Sequence, residues 1–346
     1  MSSAGMKGGS TKAVTSLVTI ERGGPAHRAL RAAGRMFGVL VLVCAPFVFS
    51  DFRTFQLTQV LFLAVAVIGL NLLTGFAGQI SLGHSAFFAL GAYVSAILIG
   101  RHNWPYLATL PVAAAASFVG GYLFGRPALR LKGLYLAMVT IALTVFTEPF
   151  IKHIASVTGG FEGLTVDKAA PPAWSRLNED RWRYFLTLGV LVVMAAVAWR
   201  ISKGRTGRAM VAIRENEIVA ETLGVNLGSV KTLTFAYSTM YAGVAGALYI
   251  FSVGYASPSS FNLFLTIKIV AAMVLGGLGS IIGALFGSFY VQFVPTWMQS
   301  FSPAWSGVIY GLSLVVVMFV MPGGFMSFIR GLGRRILGFR DDLTAI

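Results

Sequence analysis

Ten apolar stretches, most of them close to the length of a membrane-spanning helix, constrain the fold of this 346-residue chain more than any other feature. Crossing the hydrocarbon core of a bilayer takes about 20 apolar residues in a helix. In lipid the backbone must satisfy its own polar groups, and runs this long do so as helices. The stretches are residues 36–50, 55–73, 81–100, 105–125, 133–151, 184–200, 232–253, 262–278, 279–296 and 305–322. They predict an all-α, polytopic membrane protein, a helical bundle of about ten transmembrane helices.

The composition excludes several classes of protein. Charged residues make up 11% of the chain, whereas soluble proteins carry about 25%, so an ordinary soluble enzyme is nearly excluded. The single cysteine, Cys44, excludes an internal disulfide framework and a zinc site built from several thiolates. The four histidines lack the spacing of metal ligands, and we therefore expect no metal site.

The charge balance predicts an orientation. Lysine and arginine number 27 against 12 acidic residues, a net charge of +15. In a soluble protein this excess would suggest nucleic-acid binding, but membrane proteins collect Lys and Arg in their cytoplasmic loops. With ten spans and the N-terminus inside, 19 basic residues fall inside, seven outside and Lys268 within a span. We expect both termini to be cytoplasmic, and we expect no nucleic-acid partner.

Polar ends flank a single predicted membrane domain. Residues 1–35 are basic and rich in Gly and Ser, without a small-residue cleavage site, so we expect a disordered cytoplasmic tail and not a secretory signal. Residues 36–325 form the predicted transmembrane domain, which includes a cytoplasmic loop at 200–231. Residues 326–346 form a predicted cytoplasmic C-terminal tail.

Glycine and polar residues interrupt the apolar pattern at residues 71–92, the first glycine-rich break. Irregular backbone at membrane depth persists only where protein or a water-filled cavity satisfies it, and transporters build substrate pathways from such interruptions. Alternatively, the glycines allow close helix packing, and the histidine of this break serves helix-helix hydrogen bonding and not a ligand. The candidate pathway residues here are Asn71, Gly75, Gly78, Gln79, Ser81 and His84.

The second glycine-rich break, residues 275–288, lies in the other half of the chain and contributes Gly276, Gly277 and Gly279 to the candidate pathway. Gly279, Gly283 and Gly287 form two G-x-x-x-G steps, a smooth face that another backbone can approach closely. Each break is either a tight turn or a re-entrant interruption of a span. One break in each half is compatible with an inverted repeat of about five spans each.

The loop at residues 200–231 is too polar for the bilayer and too patterned for a linker. Asn216 is placed to cap a short helix over about 217–223, Glu217 lies at its positive end, and Gly224 is placed to end it. A further helical piece precedes Asn216. The loop is either a solvated surface segment on the membrane or a small rigid element that docks into a partner.

Six runs resemble the permease subunits of branched-chain amino acid ABC importers, in consistent order over about residues 55–325. The resemblance implies a ten-helix importer permease in a prokaryotic plasma (inner) membrane, without a cofactor of its own. It also implies three kinds of protein partner: two ATP-binding subunits, a second similar permease subunit and an extracytoplasmic solute-binding protein. The basic residues before the first span separately predict contact with membrane lipid. The runs are Asn71–Tyr93, Leu131–Leu143, Thr158–Leu164, Gly207–Asn226, Ala242–Tyr249 and Val274–Ser288.

In that family the loop that resembles 207–224 is the coupling element, related to the E-A-A-x-x-x-G signature of importer permeases. Matching the signature glycine to Gly224 places Ala220 on its second alanine, but Val219 stands on the first and Ile218 on the glutamate. The match is therefore partial, and it carries over the role and not the geometry. The implied coupling residues are Arg208, Arg214, Glu215, Asn216, Glu217, Ala220 and Gly224.

The chain contains no G-x-x-x-x-G-K-[ST] phosphate loop, so we expect partner subunits to bind ATP and this chain not to be an enzyme. Glu148 and Lys268 are the charged residues predicted within spans, each either snorkelling or making a helix contact, or lining the substrate path. The outer loop at 152–183 is either a landing surface for a binding protein or a plain exposed loop.

Three functions remain open on sequence alone. The favoured one is the permease subunit of an ATP-driven importer for branched-chain amino acids, paired with a second permease in what we expect to be a heterodimer and not a homodimer. The same kind of permease for urea, short amides or another small polar solute would have similar sequence features. A secondary transporter or channel is disfavoured, because buried carboxylates for proton coupling are scarce.

Overall fold

Helices make up most of the computed structural model, which describes residues 40–128, 133–172, 175, 177–301, 305–321 and 323–327. The predicted N-terminal tail at 1–35 and nearly all of the C-terminal tail lie outside the described residues. The helices are α1 (40–48), α2 (Asp51–Leu70), α3 (His84–His102), α4 (Tyr106–Ala128), α5 (Leu134–His153), α6 (Ala155–Thr158), α7 (Glu179–Lys203), α8 (Arg205–Glu215), α9 (Glu217–Thr222), α10 (Leu227–Val253), α11 (Leu263–Gly276), α12 (Ile281–Phe301) and α13 (Ser306–Val320).

Eight helices of the described chain are long and apolar enough to cross a membrane, which confirms the predicted polytopic helical class. Two of the ten predicted segments are shorter helices: α1, and α11 with 14 residues. α7 begins five residues before its predicted segment, because Arg183 forms ion pairs with Glu179 and Asp180 on its own first turn. A hydropathy pattern underestimates the length of a helix when charged residues at its end neutralise one another.

α10 is the central helix, and it packs against α2, α3 and α4. The helices approach closely where small residues meet. A β-carbon on Gly91 of α3 would lie 2.0 Å from the carbonyl oxygen of Gly243 in α10. Aromatic side chains such as Phe235, Tyr241 and Phe251 fill the core around these contacts. Small residues at the crossings therefore set the separation of the central helices.

The two ends of α10 carry different structures. Strand β1 (Leu164–Thr165) pairs antiparallel with β2 (Tyr255–Ala256), with Leu164 opposite Ala256, just beyond the C-terminal end of α10. The short helices α8 and α9 precede its N-terminal end. The 27 residues of α10 span about 40 Å, so we call these regions the ribbon end and the α8–α9 end of the bundle.

α11 and α12 form a closely packed pair that also contacts α2. A β-carbon on Gly283 would lie 2.1 Å from the carbonyl oxygen of Gly276, and one on Gly287 would lie 1.8 Å from that of Ala272. Two glycines of the predicted smooth face, Gly283 and Gly287, thus face α11, whereas Gly279 lies in the turn before α12. The inverted repeat stays a prediction.

Candidate functional site

Both glycine-rich breaks are turns between consecutive helices. After Leu70 the chain continues as a π-helix, Asn71–Phe76, and residues 78–83 are not helical before α3 begins. Residues 277–280 form the second turn, between α11 and α12. Gly78 has a φ of 68° and Gly277 one of 105°, a region that favours glycine. Both breaks therefore connect consecutive helices, and the choice between tight turns and re-entrant interruptions of a span stays a prediction.

The two breaks contact each other through the buried side chain of Asn71. Its Nδ2 donates to the carbonyl oxygens of Ser280 at 2.9 Å and Gly277 at 3.3 Å. Its Oδ1 accepts from the N–H of Gly279 at 2.7 Å. One amide therefore satisfies three peptide groups of a turn that lies more than 200 positions away in the sequence. Asn71 sits in a π-helical segment, a feature that is frequent at functional sites.

Gly75 lies against the same turn. A β-carbon at this position would fall 2.5 Å from the nitrogen of Gly279 and 2.0 Å from Oδ1 of Asn71, so only glycine fits here without displacing one of them. We call Asn71, Gly75, Gly277, Gly279 and Ser280 the break junction. The second-break residue Gly276 lies beside it, where α11 ends against α12.

The non-helical part of the first break rests on α5. Thr140 accepts a hydrogen bond from the N–H of Leu82 at 3.0 Å, and Thr144 donates to the carbonyl oxygen of Leu82 at 2.8 Å. Ser81 is buried, and its Oγ accepts from the N–H of Gly83. The sequence analysis missed both threonines. Their i, i+4 spacing on an apolar helix was the available signal, since it places two hydroxyl groups on one face.

His84 is a helix-helix contact. Its Nε2 lies 2.7 Å from Oγ of Ser238 in α10, and that hydroxyl donates to the carbonyl oxygen of Gly69 in α2. Three helices therefore meet at one buried hydrogen-bonded chain. This arrangement matches the helix-helix alternative for His84, and its place in a substrate pathway stays a prediction.

Gln79 differs from its neighbours, because neither atom of its buried amide has a partner among the described residues. The side chain borders a cavity of about 230 Å³ between the first break, the start of α5 and the junction of α8 with α9. Arg214, Glu217 and Lys231 also line it. First-break residues Gly78 and Gln79 thus lie at the wall of a cavity that charged side chains also line.

α8 and α9 form the two short helices that the sequence predicts, with a sharp bend between them. Oδ1 of Asn216 accepts hydrogen bonds from the N–H groups of Ile218 at 3.0 Å and Val219 at 3.2 Å, which is an N-cap for α9. Gly224 has a φ of 84° just after the helix. The predicted cap, bend and end of this helix are confirmed.

Arg214, the penultimate residue of α8, reaches into the first break. Its guanidinium donates a hydrogen bond to the carbonyl oxygen of Gly75, and its side-chain stem lies against Gly78. A carbonyl that accepts from a guanidinium is held by a charge-assisted bond, which is stronger than a neutral one. The α8–α9 segment, residues 205–222, is thereby attached directly to the break junction.

The other coupling residues of the sequence analysis divide into inward and outward positions. Ala220 is buried, and Glu217 forms an ion pair with Lys231 at the start of α10 at 2.6 Å. Arg208 donates to the carbonyl oxygen of Lys203, and Glu215 is exposed. α9 also turns large apolar side chains outward, with Ile218 exposed by 75% and Leu223, just after it, by 77%.

The two charges predicted within spans have different partners. Glu148 pairs with Lys152 on its own helix at 2.6 Å. Lys268 in α11 instead donates to Oε1 of Gln292 in α12 at 2.7 Å, and Nε2 of Gln292 donates to Oε1 of Gln59 in α2. We call Gln59, Gln292 and Lys268 the polar track.

Comparisons with known proteins agree on one family. Residues 53–318 match the family described as the permease component of the branched-chain amino acid transport system. The chain is 29% identical to the high-affinity branched-chain amino acid transport system permease protein LivM of Escherichia coli over 322 residues, 86% of this chain and 76% of the relative.

More distant relatives extend the comparison. The permease protein LivH of the same kind of system in Salmonella typhimurium is 26% identical over 76% of this chain and 91% of its own length. The autoinducer 2 import system permease protein LsrC of Enterobacter is 33% identical, but over 38% of this chain. No solved structure matches the chain.

Proposed function

The chain belongs to the family of branched-chain amino acid transport permease components, and we propose that it is the membrane-spanning subunit of an ATP-driven importer that carries branched-chain amino acids. Family membership rests on a match over residues 53–318. The substrate and the ATP-driven mechanism are inferences for this chain from its named relatives.

One observation carries the mechanism: Arg214 joins the α8–α9 segment to the first break, and Asn71 joins that break to the second. A displacement of α8 would therefore pull on the carbonyl of Gly75 and, through the break junction, on α2, α11 and α12. Packed interfaces of this kind switch between discrete arrangements and transmit small shifts. We infer that ATP binding by partner subunits moves α8 and α9, and that the helices joined at the break junction open the pathway alternately.

The surface of α9 supports docking to a partner. Ile218, Val219 and Leu223 are exposed at a polar end of the bundle, while Ala220 of the same turn is buried against the protein. The ion pair between Glu217 and Lys231 holds this short helix on α10. Contiguous apolar side chains with a polar rim mark protein interaction sites. We propose this patch as the contact with an ATP-binding subunit.

The orientation follows from the same assignment. We propose that the α8–α9 end faces the cytoplasm, where ATP is available, and that the ribbon end faces outward, toward an extracytoplasmic solute-binding protein. The cluster of basic residues in the loop at 200–231 favours this orientation. Both termini would then be cytoplasmic in the inner membrane, and a second permease subunit would complete the pathway.

Affinity purification of the tagged chain from native membranes in mild detergent tests the assignment. We expect ATP-binding subunits and a second, similar permease to co-purify, and we expect the purified complex to hydrolyse ATP. Ile218→Asp should remove the ATP-binding subunits, because a charge replaces an apolar docking contact, while the matched control Ile218→Leu should retain them. A chain that purifies alone and transports in liposomes without ATP would contradict the proposal.

A further inference from the structure

Lys268 carries a charge that the described residues do not neutralise. Among the described residues, the carboxylates that form ion pairs do so with Lys152, Arg183 and Lys231. None of these carboxylates lies within ion-pair distance of the Lys268 ammonium. Its hydrogen-bond partner is the neutral amide of Gln292. The residue is half-buried in an otherwise apolar helix. An ammonium among apolar helices is costly without a counter-charge, and such residues mark functional positions.

The ammonium of Lys268 makes a contact between helices. Lys268 lies five residues beyond the start of α11, about 8 Å along the helix. Its side chain extends across to α12, where Gln292 is itself fixed by Gln59 of α2. The polar track thus holds the ammonium between three helices.

Beside the polar track lies a cavity of about 120 Å³. Its other wall is aromatic and consists of rings that hold one another in place. The ring of Tyr249 lies 5.8 Å, centre to centre, from each of Phe62, Phe88 and Phe261. Edge-to-face contacts at this spacing are favourable. Lys268 and Gln292 also line a second cavity, of about 350 Å³, between α11, α12 and α13.

This combination resembles a recognition site for a small amphipathic acid. Ligand sites are mostly apolar and contain a few placed polar groups that fix orientation. Here a cation without an acidic partner among the described residues stands beside amide oxygens and a preformed aromatic wall. A carboxylate would neutralise the ammonium, and an aliphatic group would displace water from the rings.

We propose that the polar track and its aromatic wall form a substrate subsite in the outer half of the bundle, which binds the carboxylate of an aliphatic α-amino acid at Lys268 and its side chain against the aromatic rings. The amide oxygens of the track and the faces of the rings, which attract cations, contact the substrate ammonium. The subsite rests on the proposed function, since it specifies where that substrate first enters the chain.

Saturation-transfer NMR on the full chain in lipid nanodiscs tests the subsite, because it detects weak binding. The probes are leucine, leucinamide, which lacks the carboxylate, and 4-methylpentanoate, which lacks the ammonium. In the wild-type chain we expect leucine to bind more tightly than leucinamide. Lys268→Gln should weaken leucine binding about tenfold and remove its advantage over leucinamide, as expected for the loss of one charge-assisted contact.

Two further variants separate charge from packing. Gln292→Glu places a carboxylate on the Lys268 ammonium at unchanged side-chain size, so it should weaken leucine binding as Lys268→Gln does. Lys268→Arg keeps the charge and should retain most of the binding. The matched control Lys152→Gln removes a lysine that already has an acidic partner, and it should bind leucine as the wild type does.

The outcomes distinguish the subsite from the proposed function. If Lys268→Gln binds leucine as tightly as the wild type and retains the preference for leucine over leucinamide, the subsite is wrong. Leucine uptake by cells that carry the wild-type chain then still tests whether the protein is a permease for leucine. If the wild-type chain supports no uptake of branched-chain amino acids but binds another small carboxylate that Lys268→Gln loses, the substrate of the proposed function is wrong and the carboxylate contact stands.

Discussion

The break junction and the polar track are both polar regions inside an apolar bundle, but only in the break junction do the polar groups satisfy one another. At the break junction, one asparagine satisfies three peptide groups and a guanidinium satisfies a fourth. In the polar track, a full charge meets a neutral amide. The first region therefore stabilises the fold, whereas the second is complete only when a ligand supplies a carboxylate.

The largest effect should come from Asn71→Leu, which keeps the size of the side chain and removes its hydrogen bonds. Three peptide groups of the second turn, two of them in buried bonds, would lose their partner, and each buried group costs about 1–3 kcal/mol. We expect a loss of about 3 kcal/mol or more in the free energy of unfolding. Thermal unfolding followed by fluorescence-detected size exclusion would show this loss as a lower unfolding midpoint. An unchanged midpoint would remove the distinction between the two regions.

Gly287→Ala should have the next largest effect, because its β-carbon would lie 1.8 Å from the carbonyl oxygen of Ala272. α11 and α12 would have to separate, at a cost of about 1–3 kcal/mol. The matched control is Gly189→Ala in α7, where no atom lies within 4 Å of the new methyl group. That variant should be neutral or slightly stabilised, and equal midpoints for the two would contradict the close packing of α11 on α12.

Thr140→Val should cost less, about 1–2 kcal/mol, since it leaves one peptide N–H of the first break without its partner. Thr147→Val is the comparison on the same helix, because the hydroxyl of Thr147 bonds to the carbonyl of Leu143 in its own helix. The same thermal assay should show a lower midpoint for Thr140→Val than for Thr147→Val. The reverse order would mean that α5 does not hold the first break.

The smallest effect on stability, and one of the opposite sign, should come from the polar track. Lys268→Met removes a charge that has no acidic partner and retains an unbranched side chain, so its midpoint should match or exceed that of the wild type. Leucine uptake should fall in the same variant. A large loss of stability would show that Lys268 is structural, and the contrast between the two regions would then disappear.

Apolar length and glycine spacing were sufficient to predict the helical class, the breaks and a close approach of another backbone to Gly283 and Gly287, but not that this backbone belongs to α11. Asn216, Glu217 and Gly224 were sufficient for the bounds of α9, because caps are local. The contact of Asn71 with the second turn was not predictable, since nothing local links positions 208 residues apart. The bonds of Arg214 to Gly75 and of Lys268 to Gln292 likewise depend on tertiary packing and not on sequence pattern.

ATP-dependent uptake of labelled leucine by membrane vesicles that carry Arg214→Gln tests the link from the α8–α9 segment to the break junction most directly. Arg205→Gln is the control, because Arg205 is exposed at the start of the same helix. We expect Arg214→Gln to retain its partner subunits and ATP hydrolysis while uptake falls about tenfold or more, which corresponds to about 1.4 kcal/mol of lost coupling. Uptake equal to that of Arg205→Gln and the wild type, with the same subunits bound, would show that Arg214 does not couple the α8–α9 segment to the break junction.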